Sequence, residues 1–278
     1  MIPAPHPQHH THSSPLARDL ALRGTVLRVQ VGSGVHGTAV GGQDDRDEMG
    51  LCVEPAEHVT GIATVSGNRP FDQYEYHSAW ERPGGLANRS GAGDLDVIIY
   101  SARKWARLAL GGNPTVLLPL FVPDEEIVVV TDAGRELRAH ADRIASSRAG
   151  EKFRGYMTSQ RRAMTGESGA HTNRPELVAE FGYDCKFAMH ALRLGVQGLE
   201  YLRTGRITLP IPEPDLSLLR EVRRGEWDLP RVLAWVEALE QQLADAVERS
   251  PLPDEPDFAW VNDWLHRSYE RYWDTGAL

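Results

Sequence analysis

The chain has 278 residues, of which 41% are hydrophobic and 25% charged, and its formal net charge is −9 at pH 7. This composition is typical of a soluble globular protein with one large domain or two ordinary ones, and it excludes a membrane protein because no apolar run approaches the length of a bilayer span. The acidic net charge argues against nonspecific binding along nucleic acid. We expect a cytoplasmic protein, because the two cysteines lack C-x-x-C spacing and the N-terminus lacks the basic and apolar blocks of a secretory signal.

The first predicted elements lead into a glycine-rich turn. After a tail at residues 1–15 that we expect to be disordered, the pattern predicts a short helix at 16–22 and a strand at 24–31. The strand ends at Gly32 and Ser33, before a short helix. Because Gly32 has no β-carbon, backbone N–H groups there can approach a phosphate closely, and the Ser33 hydroxyl can add a hydrogen bond. The turn is therefore predicted to bind an anion.

Two acidic residues begin the next predicted strand. Asp45 and Asp47 are one residue apart, so the alternation of side chains along a strand places them on one face. Carboxylates this close repel each other, and folds usually tolerate them where cations neutralise the charge. A divalent metal ion is therefore predicted, and with the turn it would suit a metal-bound triphosphate.

A third carboxylate is expected on a later strand. Residues 55–93 are predicted to form a long loop, whose Tyr74, Tyr76 and Trp80 either stack on a base or fasten the loop to the body. The strand that follows begins with Asp94 and Asp96, which share a face, and either could join the first acidic pair. We choose Asp96 because it lies inside the apolar run.

The helix that starts at Ser101 presents Lys104, which either clamps a phosphate or belongs to a solvated cationic face. A β-branched strand at 127–130 and a further helix complete the α/β part near residue 148, and only helical periods follow.

The strongest pattern in the helical half is a helix capped by Asp184. Lys186 and His190 lie on its polar stripe together with Arg193 and Gln197, which predicts a cleft wall facing phosphate. For His190 the alternative is a hydrogen-bonded core histidine.

Several stretches resemble a known family. Gly32-Ser33 followed by Asp45-Arg46-Asp47 is similar to the signature of nucleotidyltransferases related to DNA polymerase beta. Four further stretches, in chain order, resemble the RNA repair pathway DNA polymerase beta family. They are Asp94-Leu-Asp-Val-Ile-Ile-Tyr-Ser-Ala-Arg-Lys-Trp, Gly-Gly-Asn113-Pro-Thr-Val-Leu, Phe181-Gly-Tyr-Asp184-Cys-Lys186-Phe-Ala-Met-His190 and Arg224-Gly-Glu-Trp. The resemblance implies an α+β fold, with a small mixed-sheet nucleotidyltransferase domain at residues 16–148 and an α-helical domain at 149–278. It also implies an NTP substrate and a divalent metal, Mg²⁺ or Mn²⁺.

The leading hypothesis is transfer of a nucleoside monophosphate from an NTP to an acceptor hydroxyl, with release of pyrophosphate. Asp45, Asp47 and Asp96 would be the metal-binding and catalytic carboxylates, while Gly32, Ser33 and Lys186 would hold the outer phosphates. The family resemblance favours an RNA end as acceptor. The acidic net charge favours a protein side chain or a small molecule instead. A third hypothesis, a degenerate protein that binds nucleotide without catalysis, is motivated by the charged Arg46 and Glu48.

Overall fold

Five of the described segments form one mixed β-sheet. The computed structural model describes residues 11–41, 44–165 and 174–276, so that residues 1–10 of the predicted tail lie outside the described residues. The strands are β1 (Thr25–Val31), β2 (Arg46–Cys52), β3 (Gln73–His77), β4 (Leu95–Ser101) and β5 (Ile127–Val130). Their order is β3-β4-β2-β1-β5, and in this sheet β2 and β4 are parallel while the other neighbouring pairs are antiparallel.

Helices surround the sheet and make up the second half of the chain. The α-helices of the first half are α1 (Pro15–Arg23), α2 (Gly32–His36), α3 (Ala56–Val59), α4 (Ala102–Leu110), α5 (Pro114–Leu117) and α6 (Asp132–Ala139). Those of the second half are α7 (Ala149–Thr165), α8 (Pro175–Phe181), α9 (Cys185–Thr204), α10 (Asp215–Arg223), α11 (Leu229–Glu248) and α12 (Phe258–Thr275). The predicted α+β class, with a mixed sheet followed by helices, is confirmed.

Polar side chains set the starts of several helices. The Ser101 and Asp184 side chains accept hydrogen bonds from backbone N–H groups in the first turns of α4 and α9, and Asn113 does the same for α5. Ser14 caps α1, and the neighbouring Ser13 is buried and donates to the carbonyl of Glu75 at 2.7 Å. Residues 11–15 of the predicted tail therefore lie against the body of the protein.

The prediction of one long loop at residues 55–93 was wrong, because this segment contains β3. Tyr74 and Tyr76 are buried on the sheet with Phe71, in a hydrophobic cluster that also includes Ala17 and Ile99. Of the two roles considered for these tyrosines, the structure supports fastening the segment to the body. The alternation of Gln73-Tyr74-Glu75-Tyr76-His77 is a strand pattern, but it is short and is surrounded by glycines and prolines, which favour a loop in sequence.

The sheet and the second-half helices share one hydrophobic core. A single cluster of buried residues extends from Val29 and Leu51 of the sheet to Leu192 of α9 and Leu243 of α11. The close packing of α9 depends on small residues, because a β-carbon at Gly198 would lie 2.9 Å from Leu243 and 3.0 Å from Phe153. Among the described helices, none has the combination of length and apolarity needed to cross a membrane.

The last helix returns to the sheet. In α12 the Trp264 indole donates to the carbonyl of Ala133 at 3.1 Å, and the Tyr269 hydroxyl donates to Oε2 of Glu54 at 2.7 Å. Glu54 follows β2 and is only 1% exposed. Its burial raises its pKa to about 7, although the hydrogen bond from Tyr269 opposes the shift.

Glu54 is predicted to make the protein less stable as pH rises from 4.5 to 7. In this window the folded state keeps a proton that the unfolded chain, with an ordinary pKa of 4.5, has lost. The loss reaches ~3 kcal/mol above pH 7. Glu54→Gln keeps an acceptor for Tyr269 and removes the ionisation, so its Tm should exceed that of the wild type by ~5 °C at pH 8 and by little at pH 4.5.

Thermal unfolding followed by circular dichroism at both pH values measures this difference. Glu57→Gln, at an exposed position close by, is the control and should leave the Tm unchanged at both values. An equal gain from Glu54→Gln at pH 4.5 and pH 8 would contradict the assignment.

Candidate functional site

The strand register aligns four positions across the sheet. Val31 of β1 pairs with Asp47 of β2, Asp47 with Asp96 of β4, and Asp96 with His77 of β3. Directly opposite residues on neighbouring strands project to the same face. The Gly32-Ser33 turn that follows Val31 therefore stands at one end of this row and His77 at the other.

Three carboxylates converge at the centre of the row. Asp45, Asp47 and Asp96 each offer an oxygen, and these atoms lie within 4.8 Å of one another. Burial, followed by the charges of Asp45 and Asp96, raises the pKa of Asp47 to about 7, and the cations of Lys186 and His77 oppose this shift. The structure thus brings together the three acids that the sequence selected, although their catalytic roles remain a prediction.

Asp94 is held in a different environment. Its carboxylate accepts hydrogen bonds from Ser78 at 2.8 Å, from Arg82 at 2.9 Å and from the N–H of Gly91 at 2.9 Å. The Ser78 hydrogen bond contributes most to lowering the pKa of Asp94. These contacts close the turn before β4, which leaves Asp96 as the acid of this strand that faces the cleft.

Gly32 is required by both space and backbone conformation. Its φ is +79°, a value that residues with a β-carbon rarely adopt, and a β-carbon here would lie 2.0 Å from Oδ2 of Asp47. The turn therefore packs directly against the acidic cluster, and Ser33 lines the same cleft. The predicted proximity of the Gly-Ser turn to Asp47 is present in the structure.

A cationic wall faces the acids across a cleft of about 550 Å³. It is formed by Lys186, His190 and Arg193 of α9, with Arg174 just before α8. Among the described residues no carboxylate pairs with the Lys186 ammonium. Burial, then Arg193, Lys186, Arg174 and Arg223, hold the pKa of His190 well below its usual range, so this side chain is a neutral hydrogen-bonding group in the wall. Both residues predicted on this helix, Lys186 and His190, line the cleft.

Arg193 is a residue of the cleft wall that the sequence indicated only as one member of a polar stripe. Its Nη1 lies 2.7 Å from Nε2 of His36 and donates to Oε1 of Gln197 at 3.1 Å. Because a guanidinium can only donate, Nε2 of His36 accepts this hydrogen bond, and the amide nitrogen of Gln197 lies 3.1 Å from Nδ1 of the same ring. Burial lowers the pKa of Arg193 to about 10, which leaves it charged at neutral pH, and its partners here are uncharged.

Further hydrogen bonds attach the second-half helices to the element that begins with the Gly32-Ser33 turn. The backbone N–H of Ile211 donates to the carbonyl of His36 at 3.2 Å, and Nε of Arg220 donates to the carbonyl of Gly37 at 2.7 Å. Both carbonyls belong to the end of α2, only a few residues after Ser33. The helix that begins with the turn is thus held by α9, α10 and the segment between them.

Lys104 lies outside the cleft, which corrects its predicted contact with phosphate. Its ammonium donates to Oδ2 of Asp72 at 2.6 Å and to the side chain of Gln73, and it lies 5.7 Å from the centroid of the Tyr100 ring. Lys104 lies far from the acids because it is in the first turn of α4, just after the carboxyl end of β4, whereas Asp96 is near the amino end of that strand. Asp72 already neutralises its charge.

Arg46 and Glu48 form a separate ion-pair cluster. Glu48 is 6% exposed, and its carboxylate lies 3.0 Å from Nε of Arg46 and 3.2 Å from Nε of Arg28. Arg46, which lies between the two aspartates, and Glu48, which follows them, thus neutralise each other's charge. This pairing explains the two unusual residues without any loss of the acidic cluster.

The acidic cluster fits a divalent cation of the Mg²⁺ or Mn²⁺ type. Its donors are carboxylate oxygens, which such hard ions prefer. Burial and the charges of Asp45 and Asp96 raise the pKa of Asp47, so a bound cation would relieve an unfavourable concentration of negative charge. Asp45, Asp47 and Asp96 are the residues that would hold the ion.

A mixed sheet that carries a Gly-Ser turn, converging aspartates and an opposing cationic helix has the arrangement expected of a nucleotidyltransferase. The sequence model of the RNA repair pathway DNA polymerase beta family matches residues 8–267. The chain belongs to this family, and through it to the nucleotidyltransferases of the DNA polymerase beta superfamily.

The other comparisons add less. No functionally curated protein matches the chain. Among solved structures, a nucleotidyltransferase-like protein from Exiguobacterium sibiricum 255-15 matches with 12% identity over 92% of this chain and 74% of that chain, at a TM-score of 0.28. So distant a likeness carries no information about the activity.

Gly32→Ala is predicted to weaken divalent-ion binding by displacing Asp47. The added β-carbon would overlap Oδ2 of Asp47, in addition to the backbone strain of ~1–2 kcal/mol at positive φ. Gly41→Ala is a matched control, since Gly41 has φ +65° with nothing within 4 Å of the added carbon. Calorimetric Mn²⁺ titration should show weaker binding for Gly32→Ala alone. Equal weakening by both variants would contradict the contact.

Divalent-ion affinity is predicted to depend on pH through Asp47. Below its pKa of about 7 an incoming ion must displace a proton, so the association constant should rise ~10-fold per pH unit up to pH 7 and then level off. Calorimetry at pH 6 in buffers of different ionisation enthalpy should show release of up to one proton per ion. An affinity that is constant from pH 5.5 to 8 would contradict the raised pKa.

Proposed function

We propose that this protein is a metal-dependent nucleotidyltransferase that moves a nucleoside monophosphate from an NTP to an acceptor hydroxyl and releases pyrophosphate. The observation that carries the proposal is the charge distribution in one cleft. Three acids converge on one wall, while Lys186 and Arg193 stand on the other and the Gly32-Ser33 turn lies beside the acids. A polyanion that carries divalent cations complements both walls.

The acidic wall would hold the metal ions. We assign Asp45 and Asp47 to the ion that accompanies the nucleotide, with Asp96 joining them for a second ion. Such ions, when bound, neutralise phosphate charge and lower the pKa of an attacking hydroxyl. The three carboxylates fix where this charge is placed, and the row of paired strands keeps their spacing constant.

The turn and the helical wall would hold the leaving group. Ser33 and the backbone beside Gly32 can donate to the outer phosphates, and Lys186 can neutralise charge that builds as pyrophosphate departs. Arg193 is a further donor of charge on the same wall, and His190 can contribute a hydrogen bond in its neutral form.

Membership in an RNA repair family supports an RNA end as the acceptor. A second acceptor class, a protein side chain or a small molecule, is favoured by the net charge of −9. The Arg46–Glu48 pair supports neither loss of the acids nor a purely binding role, because it is satisfied within the fold.

Asp47→Asn is predicted to reduce nucleotide transfer by more than ~100-fold while the protein stays folded. The reason is that removing a direct metal ligand lowers activity at least as much as removing a residue that only supports a ligand. Removing one of three repelling charges should also raise the Tm of the metal-free protein at pH 8. Labelled NTPs incubated with RNA, the protein itself and cell extract identify the acceptor by where label appears. Asp19→Asn, at an exposed position on α1, is the control.

Transfer by Asp47→Asn at the wild-type rate would refute the catalytic assignment. Label found only on protein or on a small product would favour the second acceptor class. Absence of both Mg²⁺-dependent NTP binding and transfer in the wild type would favour the degenerate reading.

A further inference from the structure

Asp96 is held on both sides by neighbouring side chains. Nδ1 of His77 lies 2.9 Å from its Oδ2, and the Ser90 hydroxyl donates to its Oδ1 at 2.5 Å. A carboxylate can only accept, so Nδ1 of His77 carries a proton and donates. Since a carboxylate offers about four lone-pair positions, two remain for cations. The contacts thus orient Asp96 without using up its capacity as a ligand.

The ring of His77 is itself held in place. Its centroid lies 4.2 Å from that of Trp80, and its residue pairs with Asp96 across β3 and β4. Its second nitrogen, Nε2, has no hydrogen-bond partner among the described residues, and His77 lines the cleft. His77 therefore supports Asp96 through one nitrogen while the other is available to a bound group.

The row of paired residues also assigns a direction to the reaction, if the proposed function holds. Phosphoryl transfer places the attacking and leaving oxygens roughly in line on opposite sides of the phosphorus. The turn that would hold the leaving pyrophosphate stands at the Val31 end of the row. The attacking hydroxyl must then approach from the other end, beyond Asp96, where β3 carries His77 and Glu75 at the cleft.

We propose that the β3 edge is the subsite for the acceptor alcohol and that His77 is its positioning residue, holding Asp96 toward the attacking hydroxyl. The proposal rests on the proposed transferase function for the direction of attack. Its structural part, the support of Asp96 by His77, stands on the contacts alone. Glu75 and Asp96 would repel a terminal phosphate at this wall, so the acceptor end that fits it is a free hydroxyl.

Three substitutions distinguish the roles of the two ring nitrogens of His77. His77→Asn keeps a donor near the place of Nδ1, His77→Gln places its amide near Nε2, and His77→Phe keeps a ring against Trp80 with no donor. We expect His77→Phe and His77→Gln to lower kcat ~10–100-fold and His77→Asn to stay within ~3-fold of the wild type. The acceptor KM should rise in His77→Phe, while the NTP KM should stay within ~2-fold.

Mn²⁺ titration gives a readout that does not depend on transfer. His77→Phe should weaken Mn²⁺ binding ~10-fold, whereas His77→Asn should not. His140→Phe is the matched control, since His140 also stacks on a tryptophan, Trp260, with ring centroids 5.0 Å apart, and its Nδ1 lies 2.9 Å from the carbonyl oxygen of Glu136, outside the cleft. It should leave kcat, both KM values and Mn²⁺ binding unchanged.

Wild-type kcat in His77→Phe, or an equal loss in His77→Asn and His77→Phe, would overturn the positioning role. An NTP KM that rises as much as the acceptor KM would overturn the location of the subsite. If the wild type transfers nothing yet His77→Phe still weakens Mn²⁺ binding, the transferase function fails while the support of Asp96 stands.

Discussion

The structure depends on a balance between three like charges and the groups around them. The register of β2 against β4 places Asp47 beside Asp96, and Asp45 completes the cluster. The burial of Asp47 and its closeness to Asp45 and Asp96 raise the free energy of the metal-free fold, as the pKa of about 7 for Asp47 indicates. The facing cations on α9 reduce this cost in part, and a bound divalent ion would reduce it further. The acidic cluster thus lowers the stability of the metal-free protein and forms a site that favours a bound cation.

The sequence predicted those parts of the site that are local. The Gly-Ser turn, the spacing of Asp45 and Asp47, and the Asp184 cap all involve residues near one another in the chain, and Asp96 followed from its place inside an apolar run. His77 was missed because β3 was read as part of a loop. Polar residues and tyrosines do alternate from Gln73 to His77, but the run is only five residues long and lies in a segment with several glycines and prolines, which is typical of a loop.

Long-range pairing accounts for the remaining differences. Lys104 was considered as a phosphate ligand because it follows the strand of Asp96, yet the length of β4 separates the two, and Asp72 takes up its charge. Arg193 could not be distinguished from other members of a polar stripe, because its partner His36 lies 157 residues away. Which face of a helix meets the cleft is decided by packing against other elements, and periodicity alone does not specify it.

The attachment of α2 to the helical half has a consequence for how substrate is received. His36 and Gly37 are bonded to Arg193, Ile211 and Arg220, while the sheet and the helices share a continuous core. The spacing between the two sides of the cleft is consequently set by these hydrogen bonds and by the shared core. A ligand of the proposed kind would then meet both walls where the fold already holds them, and its affinity would depend on charge complementarity more than on ordering the protein.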